Sequence, residues 1–131
     1  MVEGLVIVPS RNGAKETMNR LATAVSQSGM TVVARIDHAS AAEGVGLSLR
    51  PTEVLVFGNP KAGTPLMQAA QTLGVDLPLK ALVWEDEAGN IKLAYDDPVW
   101  LAKRHGVDVE THPVLGAMAD ALAAVARQAT A

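Results

Sequence analysis

A glycine- and proline-rich loop between a strand and a helix constrains the fold of this chain more than any other segment. The apolar run Thr52–Phe57 predicts a buried strand, and Gly58-Asn59-Pro60-Lys61-Ala62-Gly63-Thr64-Pro65 follows it directly. An apolar helical stripe opens at Leu66. Thr64 fits the N-cap, and Pro65 fits the first helical position, where its missing N–H has no intrahelical partner to lose. The chain must therefore pass from strand to helix across this loop.

Apolar periodicity and turn residues predict the remaining elements. The other predicted strands are Leu5–Val8, which Pro9 ends, Thr31–Asp37, and a hairpin of Leu79–Glu85 with Ile91–Tyr95. The other predicted helices begin near Ala14, Asp97-Pro98 and His112-Pro113, with short helical inserts after strands 2 and 3, and the alanine-rich tail after Val125 is expected to fray. This order predicts one α+β domain over residues 1–131, with helices on one face of an antiparallel sheet.

Composition excludes several classes of protein. A net charge of −3 with scattered basic residues argues against nucleic-acid binding. No apolar run approaches the length of a membrane span, and the first residues lack the positive start of a secretory signal, so we expect a soluble, cytoplasmic protein. Without cysteine, the chain has no disulfide, thiolate zinc site or cysteine nucleophile.

Four segments together point to a known family: Asp37–Ala39, Arg50–Glu53, Gly58–Met67 and Leu77–Asp86. In these segments the chain resembles domain-of-unknown-function family 302. The resemblance implies a TATA-binding-protein-like fold with the order strand, helix, four strands, helix, which agrees with the elements predicted above. It also implies a bacterial or archaeal homodimer, and it implies no activity, since the family has no established one.

The Gly58–Pro65 loop is the first candidate site. Its glycine spacing is that of a P-loop, but Thr64-Pro65 stands where Lys-Ser or Lys-Thr is needed, which argues against a nucleotide triphosphatase. The functional reading is a small anion held by the N–H groups of Ala62, Gly63 and Thr64, with help from Lys61 and Asn59. The alternative is a tight strand-to-helix connection with no ligand.

Two further residues are candidates for acid–base chemistry. His38 lies at the end of the second strand and is predicted to be a companion of the loop in one pocket, or else a histidine bonded at the sheet margin. Glu85 is the best placed of the acids Glu85, Asp86 and Glu87, which otherwise form a solvated hairpin tip. The sequence leaves open whether His38 and Lys61 face the same cavity.

The remaining histidines and the tryptophans favour structural roles. His105 and His112 lie seven residues apart across an irregular stretch. This spacing does not ensure that their side chains meet around one metal ion, so we predict no metal site. Trp84 and Trp100 are predicted to lie in the core or at a dimer contact.

Three functions are compatible with these residues. The leading hypothesis is a homodimeric binding or regulatory module for a small, anion-leaning molecule, with its cofactor unknown. The alternative is a small enzyme doing acid–base chemistry or hydrolysis in a pocket of His38, Lys61 and Glu85. The third is a scaffold whose apolar face docks another protein.

Overall fold

The computed structural model describes residues 2–131, which form an α+β domain built on a five-stranded antiparallel sheet. The strand order is β1-β5-β4-β3-β2. The strands are β1 (Leu5–Ser10), β2 (Thr31–Asp37), β3 (Thr52–Gly58), β4 (Leu79–Glu85) and β5 (Ile91–Asp96). The predicted fold class is therefore confirmed, and the predicted β4–β5 hairpin is present with Glu85 paired to Ile91.

Five α-helices connect and cover the strands. They are α1 (Ala14–Gln27), α2 (His38–Glu43), α3 (Pro60–Ala69), α4 (Pro98–Arg104) and α5 (Val114–Thr130), and a short 3₁₀ helix (Gln71–Val75) follows α3. The two long helices α1 and α5 pack together over one face of the sheet. Their apolar stripes meet the inward residues of β3, β4 and β5, and the centre of this core consists of Met18, Leu21, Leu55, Phe57, Leu93 and Leu122.

Helix α3 begins earlier than the sequence predicts. The structure places the N-cap at Asn59, whose Oδ1 accepts a hydrogen bond of 3.0 Å from the N–H of Lys61, and Pro60 occupies the first turn. Pro65 lies inside the helix, so the predicted start at Thr64 is wrong. Asn-Pro and Thr-Pro are both cap-and-proline signatures, and the first of them begins the helix.

Two smaller boundaries also differ from the prediction. Strand β1 continues through Pro9 to Ser10, which an edge strand allows because proline lacks only the ladder N–H. Helix α5 does not fray after Val125, since it runs to Thr130 and buries Ala129. Hydrogen bonds from Arg11 and Asn12 to carbonyls in its last turn hold that end against the start of the chain.

The sheet has two ends that matter for function. At the α3 end, Thr31 of β2 pairs with Gly58 of β3, next to the start of β4 at Leu79. At the hairpin end, Asp37 of β2 pairs with Glu53 of β3. Seven-residue strands separate the two ends by about 20 Å.

Candidate functional site

An apolar cavity of about 510 Å³ lies at the α3 end of the sheet. It is bounded by α3 on one side, by α5 on another, and by the first residues of β2 and β4. Its apolar side chains are Met30, Val33, Pro60, Ala62, Met67, Leu77, Pro78, Leu79, Val114, Ala117, Met118 and Ala121. Within the described part of the chain, no charged side chain lines it. Its size and lining are typical of sites for small organic molecules.

The predicted loop residues contribute to this cavity, but not as an anion cradle. Asn59, Ala62, Gly63 and Thr64 all line it. The N–H groups of Ala62 and Gly63, however, each donate a hydrogen bond of 3.0 Å to the carbonyl oxygen of Asn59. Because these donors are used in the first turn of α3, the N–H groups of Ala62 and Gly63 are not free for the anion that the sequence-based interpretation places there.

A few polar groups lie among the apolar ones. Ser28 Oγ donates a hydrogen bond to the carbonyl oxygen of Ala24 at 2.8 Å, so the hydroxyl hydrogen of Ser28 is not available to a ligand. Asn59 uses its Oδ1 to cap α3, which leaves the amide nitrogen as a donor. Thr31 and Thr64 are exposed at the cavity with hydroxyl groups that can donate or accept. The polar part of a ligand would meet these groups.

The structure separates the other predicted site residues. Lys61 is exposed on the first turn of α3 and does not line the cavity. His38 opens α2 and is exposed at the hairpin end, and Glu85 lies at that end also. His38 and Lys61 therefore do not share a cavity, and the predicted pocket of His38, Lys61 and Glu85 does not exist.

An ion-pair cluster occupies the hairpin end near His38. Glu53 accepts from Arg35 Nε at 2.7 Å and from Lys15 Nζ at 3.3 Å, and Lys15 also lies 3.9 Å from Asp37. Burial by itself raises the pKa of Glu53, but the hydrogen bonds and charges of Arg35 and Lys15 outweigh it and lower that pKa. The cluster joins α1 to the edge of the sheet, which is a structural role.

Sequence reasoning missed a second polar cluster, which joins the 3₁₀ helix to α4. His105 lies between Thr72 and Asp76, with Nδ1 2.8 Å from Thr72 Oγ1 and Nε2 2.5 Å from Asp76 Oδ2. Arg104 Nη1 also donates to Asp76, at 3.0 Å. The cluster joins two distant segments, with Thr72 and Asp76 at the 3₁₀ helix and Arg104 and His105 at the end of α4, so no local spacing reveals it. None of these residues lines the apolar cavity.

Sequence reasoning also missed the three methionines of the cavity. Met30 follows α1, Met67 lies on α3, and Met118 lies on α5, so they meet only in the folded chain. From the sequence alone, each of these methionines is predicted to be an ordinary core residue.

The predicted structural roles of the remaining residues can also be located. His112 Nδ1 contacts Thr111 Oγ1 at 3.0 Å, whereas His105 contacts Thr72 and Asp76, so the two histidines have no hydrogen-bond partner in common. Trp100 lies against the backbone of Gly4, and Trp84 lies on the sheet face opposite α1 and α5.

Among residues 2–131, no group of three or more histidines and acids could hold a metal ion. Nor does any helix in that range have the length and apolar character needed to cross a membrane.

Comparison with known proteins identifies a family and a fold. Residues 6–125 match the model of a family described as domain of unknown function DUF302. The chain is also similar to the crystal structure of an uncharacterised conserved DUF302 protein from Bacillus stearothermophilus, with a TM-score of 0.85 over 98% of this chain and 99% of that one. At 22% sequence identity, that likeness concerns the fold.

Curated relatives of the chain come from Brucella. The chain is 44% identical over 126 residues to a protein of Brucella suis biovar 1 (strain 1330) named fluoride-specific ion channel FluC 1, covering 96% of this chain and 50% of the relative. A protein of the same name from Brucella abortus biovar 1 (strain 9-941) shares the same identity, with 47% of its length covered. The chain thus spans about half the length of the curated relatives it matches.

Proposed function

The chain belongs to the DUF302 family, a family of unknown function, and we propose that it is a binding module for small molecules with an apolar body and a hydrogen-bond-accepting head group. The observation that carries this proposal is the cavity of about 510 Å³ at the α3 end of the sheet. A cavity of this size holds a molecule of drug or metabolite size. Its lining of methyl, methylene and thioether groups favours an apolar body.

The methionines of the cavity indicate that it binds a class of related ligands and is not specific for one compound. Met30, Met67 and Met118 approach it from three different elements. The methionine side chain is unbranched and polarizable, so it adapts to ligands of different shape. A lining of this kind accommodates a series of related apolar molecules.

The polar groups of the cavity indicate the head group of the ligand. The amide nitrogen of Asn59 is a donor, and the hydroxyl groups of Thr31 and Thr64 can donate as well. A carbonyl, carboxylate or sulfonate oxygen suits these donors. The anion of the sequence-based hypothesis is thus retained only as a head group, since the N–H groups of Ala62 and Gly63 are bonded within α3 and no charged side chain among residues 2–131 lines the cavity.

The name of the Brucella relatives, fluoride-specific ion channel, raises the question of fluoride. A bare halide needs N–H donors or cations around it, and a cavity lined by methyl and thioether groups offers a poor site for one. We therefore propose that this domain supplies a regulatory binding function, and that in the Brucella proteins it accompanies a channel in the same chain. The ligand would then be a small organic molecule distinct from the transported ion.

The enzyme hypothesis has weaker support. It needs His38, Lys61 and Glu85 within reach of one substrate, and the lysine lies at the opposite end of the sheet from the other two residues. Binding of a ligand at the α3 end does not require these three residues to lie close together.

A cavity-filling substitution tests the proposal. A Cβ placed on Gly63 would lie 3.7 Å from Leu77 Cδ1 and 4.0 Å from Met67 Cε, both of which line the cavity. Gly63→Leu is therefore expected to fill it, while helix propensity keeps the free energy of unfolding unchanged or raises it by up to about 1 kcal/mol. With anilinonaphthalene sulfonate as the fluorescent probe, we expect at least about tenfold weaker binding, or about 1.4 kcal/mol.

Gly116→Leu is the matched control. Gly116 lies on α5 with nothing within 4 Å of a Cβ placed there, and it does not line the cavity. This variant should bind the probe as the wild type does. Equal probe affinity in wild type and Gly63→Leu would contradict the proposal, because the probe would then occupy another surface.

A further inference from the structure

In the polar cluster that joins the 3₁₀ helix to α4, His105 lies between a threonine hydroxyl and a carboxylate. Its Nδ1 is 2.8 Å from Thr72 Oγ1, and its Nε2 is 2.5 Å from Asp76 Oδ2. Hydroxyl, imidazole and carboxylate therefore form one continuous chain of hydrogen bonds. Hydrolases that form a covalent intermediate arrange a nucleophile, a general base and an acid that orients the base in this way.

We propose that Thr72, His105 and Asp76 form a site that takes the acyl group from small activated esters, such as aryl esters, and hydrolyses it. Thr72 is the nucleophile, His105 is the general base, and Asp76 is a positioning residue that acts through His105. The site is separate from the apolar cavity, which none of the three residues lines. It also uses none of the residues on which the enzyme hypothesis from the sequence depends.

The carboxylate selects the form of the imidazole that a general base needs. An ionised carboxylate only accepts hydrogen bonds, so in the neutral ring Nε2 carries the proton and donates a hydrogen bond to Asp76. Nδ1 is then the acceptor for the hydroxyl hydrogen of Thr72. Arg104 Nη1 also donates to Asp76, at 3.0 Å. The hydrogen bond from His105 and the charge of Arg104 lower the pKa of Asp76, so the carboxylate is ionised at neutral pH.

The exposure of the three side chains follows the order that the reaction needs. Thr72 is exposed, so a substrate in solution can reach its hydroxyl group. The side chains of His105 and Asp76 are only 9% and 17% exposed, so the imidazole is held in place behind that hydroxyl. Val75 is 75% exposed and lies three residues after Thr72 on the 3₁₀ helix, which places it on the same side. It offers an apolar contact to the acyl chain.

The proposed reaction has two steps. Thr72 Oγ1 attacks the carbonyl carbon of the ester, and its proton passes to His105 Nδ1. The bond from that carbon to the alcohol oxygen then breaks, the leaving oxygen takes the proton, and the acyl group remains on Thr72 as an ester. Water attacks this ester in the same way, with His105 accepting a proton from water and giving it to Thr72 Oγ1. The products are the alcohol and the carboxylic acid.

A second threonine–histidine pair in this chain lacks the acid and serves as an internal control. Thr111 Oγ1 is 3.0 Å from His112 Nδ1, and Thr111 is exposed as Thr72 is. Among residues 2–131, however, no carboxylate oxygen lies within 4.0 Å of the His112 ring nitrogens. The two pairs therefore differ in the third member, and only the pair of Thr72 should be reactive.

Diethyl 4-nitrophenyl phosphate tests the site, because it transfers its diethylphosphoryl group to activated hydroxyl groups and releases 4-nitrophenolate. Peptide mapping by mass spectrometry should locate the adduct on Thr72 and not on Thr111. His105→Gln should slow this labelling by about a hundredfold or more, and Thr72→Val should abolish it. Thr111→Val should behave like wild type, and thermal melts verify that each variant folds. No adduct on Thr72, equal labelling of the two threonines, or an unchanged rate in folded His105→Gln would overturn the proposal.

Nitrogen-15 NMR spectra of the His105 ring test the role of Asp76 separately from its effect on stability. In mildly alkaline solution, the wild-type ring should carry its proton on Nε2 and leave Nδ1 bare. The amide of Asp76→Asn can donate to Nε2, so the proton should shift toward Nδ1 and the labelling of Thr72 should slow by about tenfold or more. A purely structural Asp76 would leave the proton position and the labelling rate unchanged, and that result would overturn its assigned role.

Discussion

At the scale of single residues, Asp76 joins the end of the 3₁₀ helix to the end of α4. It accepts hydrogen bonds from His105 and Arg104 of the α4 region, and its side chain is 17% exposed. The hydrogen bond from His105 is the largest cause that lowers the pKa of Asp76; burial opposes it, and the charge of Arg104 adds to it. The carboxylate therefore ties the 3₁₀ helix to α4 only while it is ionised.

The pKa of Asp76 predicts how stability depends on pH. Because the folded-state pKa lies below the ordinary value of 3.8, the stabilisation is complete above that value and is lost as pH falls through the folded-state pKa. Asp76→Asn should therefore lower the free energy of unfolding by about 1–2 kcal/mol at neutral pH. The difference from wild type should shrink below pH 3.8.

Urea unfolding at several pH values measures this difference. Asp120→Asn, an exposed position on α5, is the control and should show little change. A deficit in Asp76→Asn that stays constant down to acid pH would show that the carboxylate charge is not what stabilises the contact.

At the scale of elements, α3 shows where sequence reasoning succeeds and where it fails. The presence of a helix after Gly58 follows from the apolar stripe and the two prolines, and the structure confirms that helix. Its start does not follow, because Asn59-Pro60 and Thr64-Pro65 satisfy the same local rule. The cavity that α3 lines together with the distant residues Leu77 and Leu79 cannot be found from such a rule.

Two alanine substitutions decide which residue caps α3. Asn59→Ala should lower the free energy of unfolding by about 1 kcal/mol, because Oδ1 caps the N–H of Lys61. Thr64→Ala, at an exposed position inside the helix, should have little effect or a slightly stabilising one. Thermal denaturation compares the two variants, and a larger loss in Thr64→Ala would restore the later start.

At the scale of the whole molecule, the order of elements was predictable and the sites were not. Alternating strands and helical stripes, with the resemblance to domain-of-unknown-function family 302, were enough for the α+β class. The separation of His38 from Lys61 depends on strand direction and register, since β2 carries His38 about 20 Å from the α3 end. The cavity likewise depends on α5 crossing the same end of the sheet, which brings Met118 to Met67 and Met30.

The ligand cavity is tested most directly by NMR spectra of methionine methyl groups during a titration with decanoate, which has an apolar chain and a carboxylate head. The signals of Met30, Met67 and Met118 should shift together and saturate, because all three line the cavity. The signal of Met18, fully buried in the core, should move little. Unmoved signals for the three cavity methionines across a series of such amphiphiles, or shifts no larger than that of Met18, would contradict a ligand site at the α3 end.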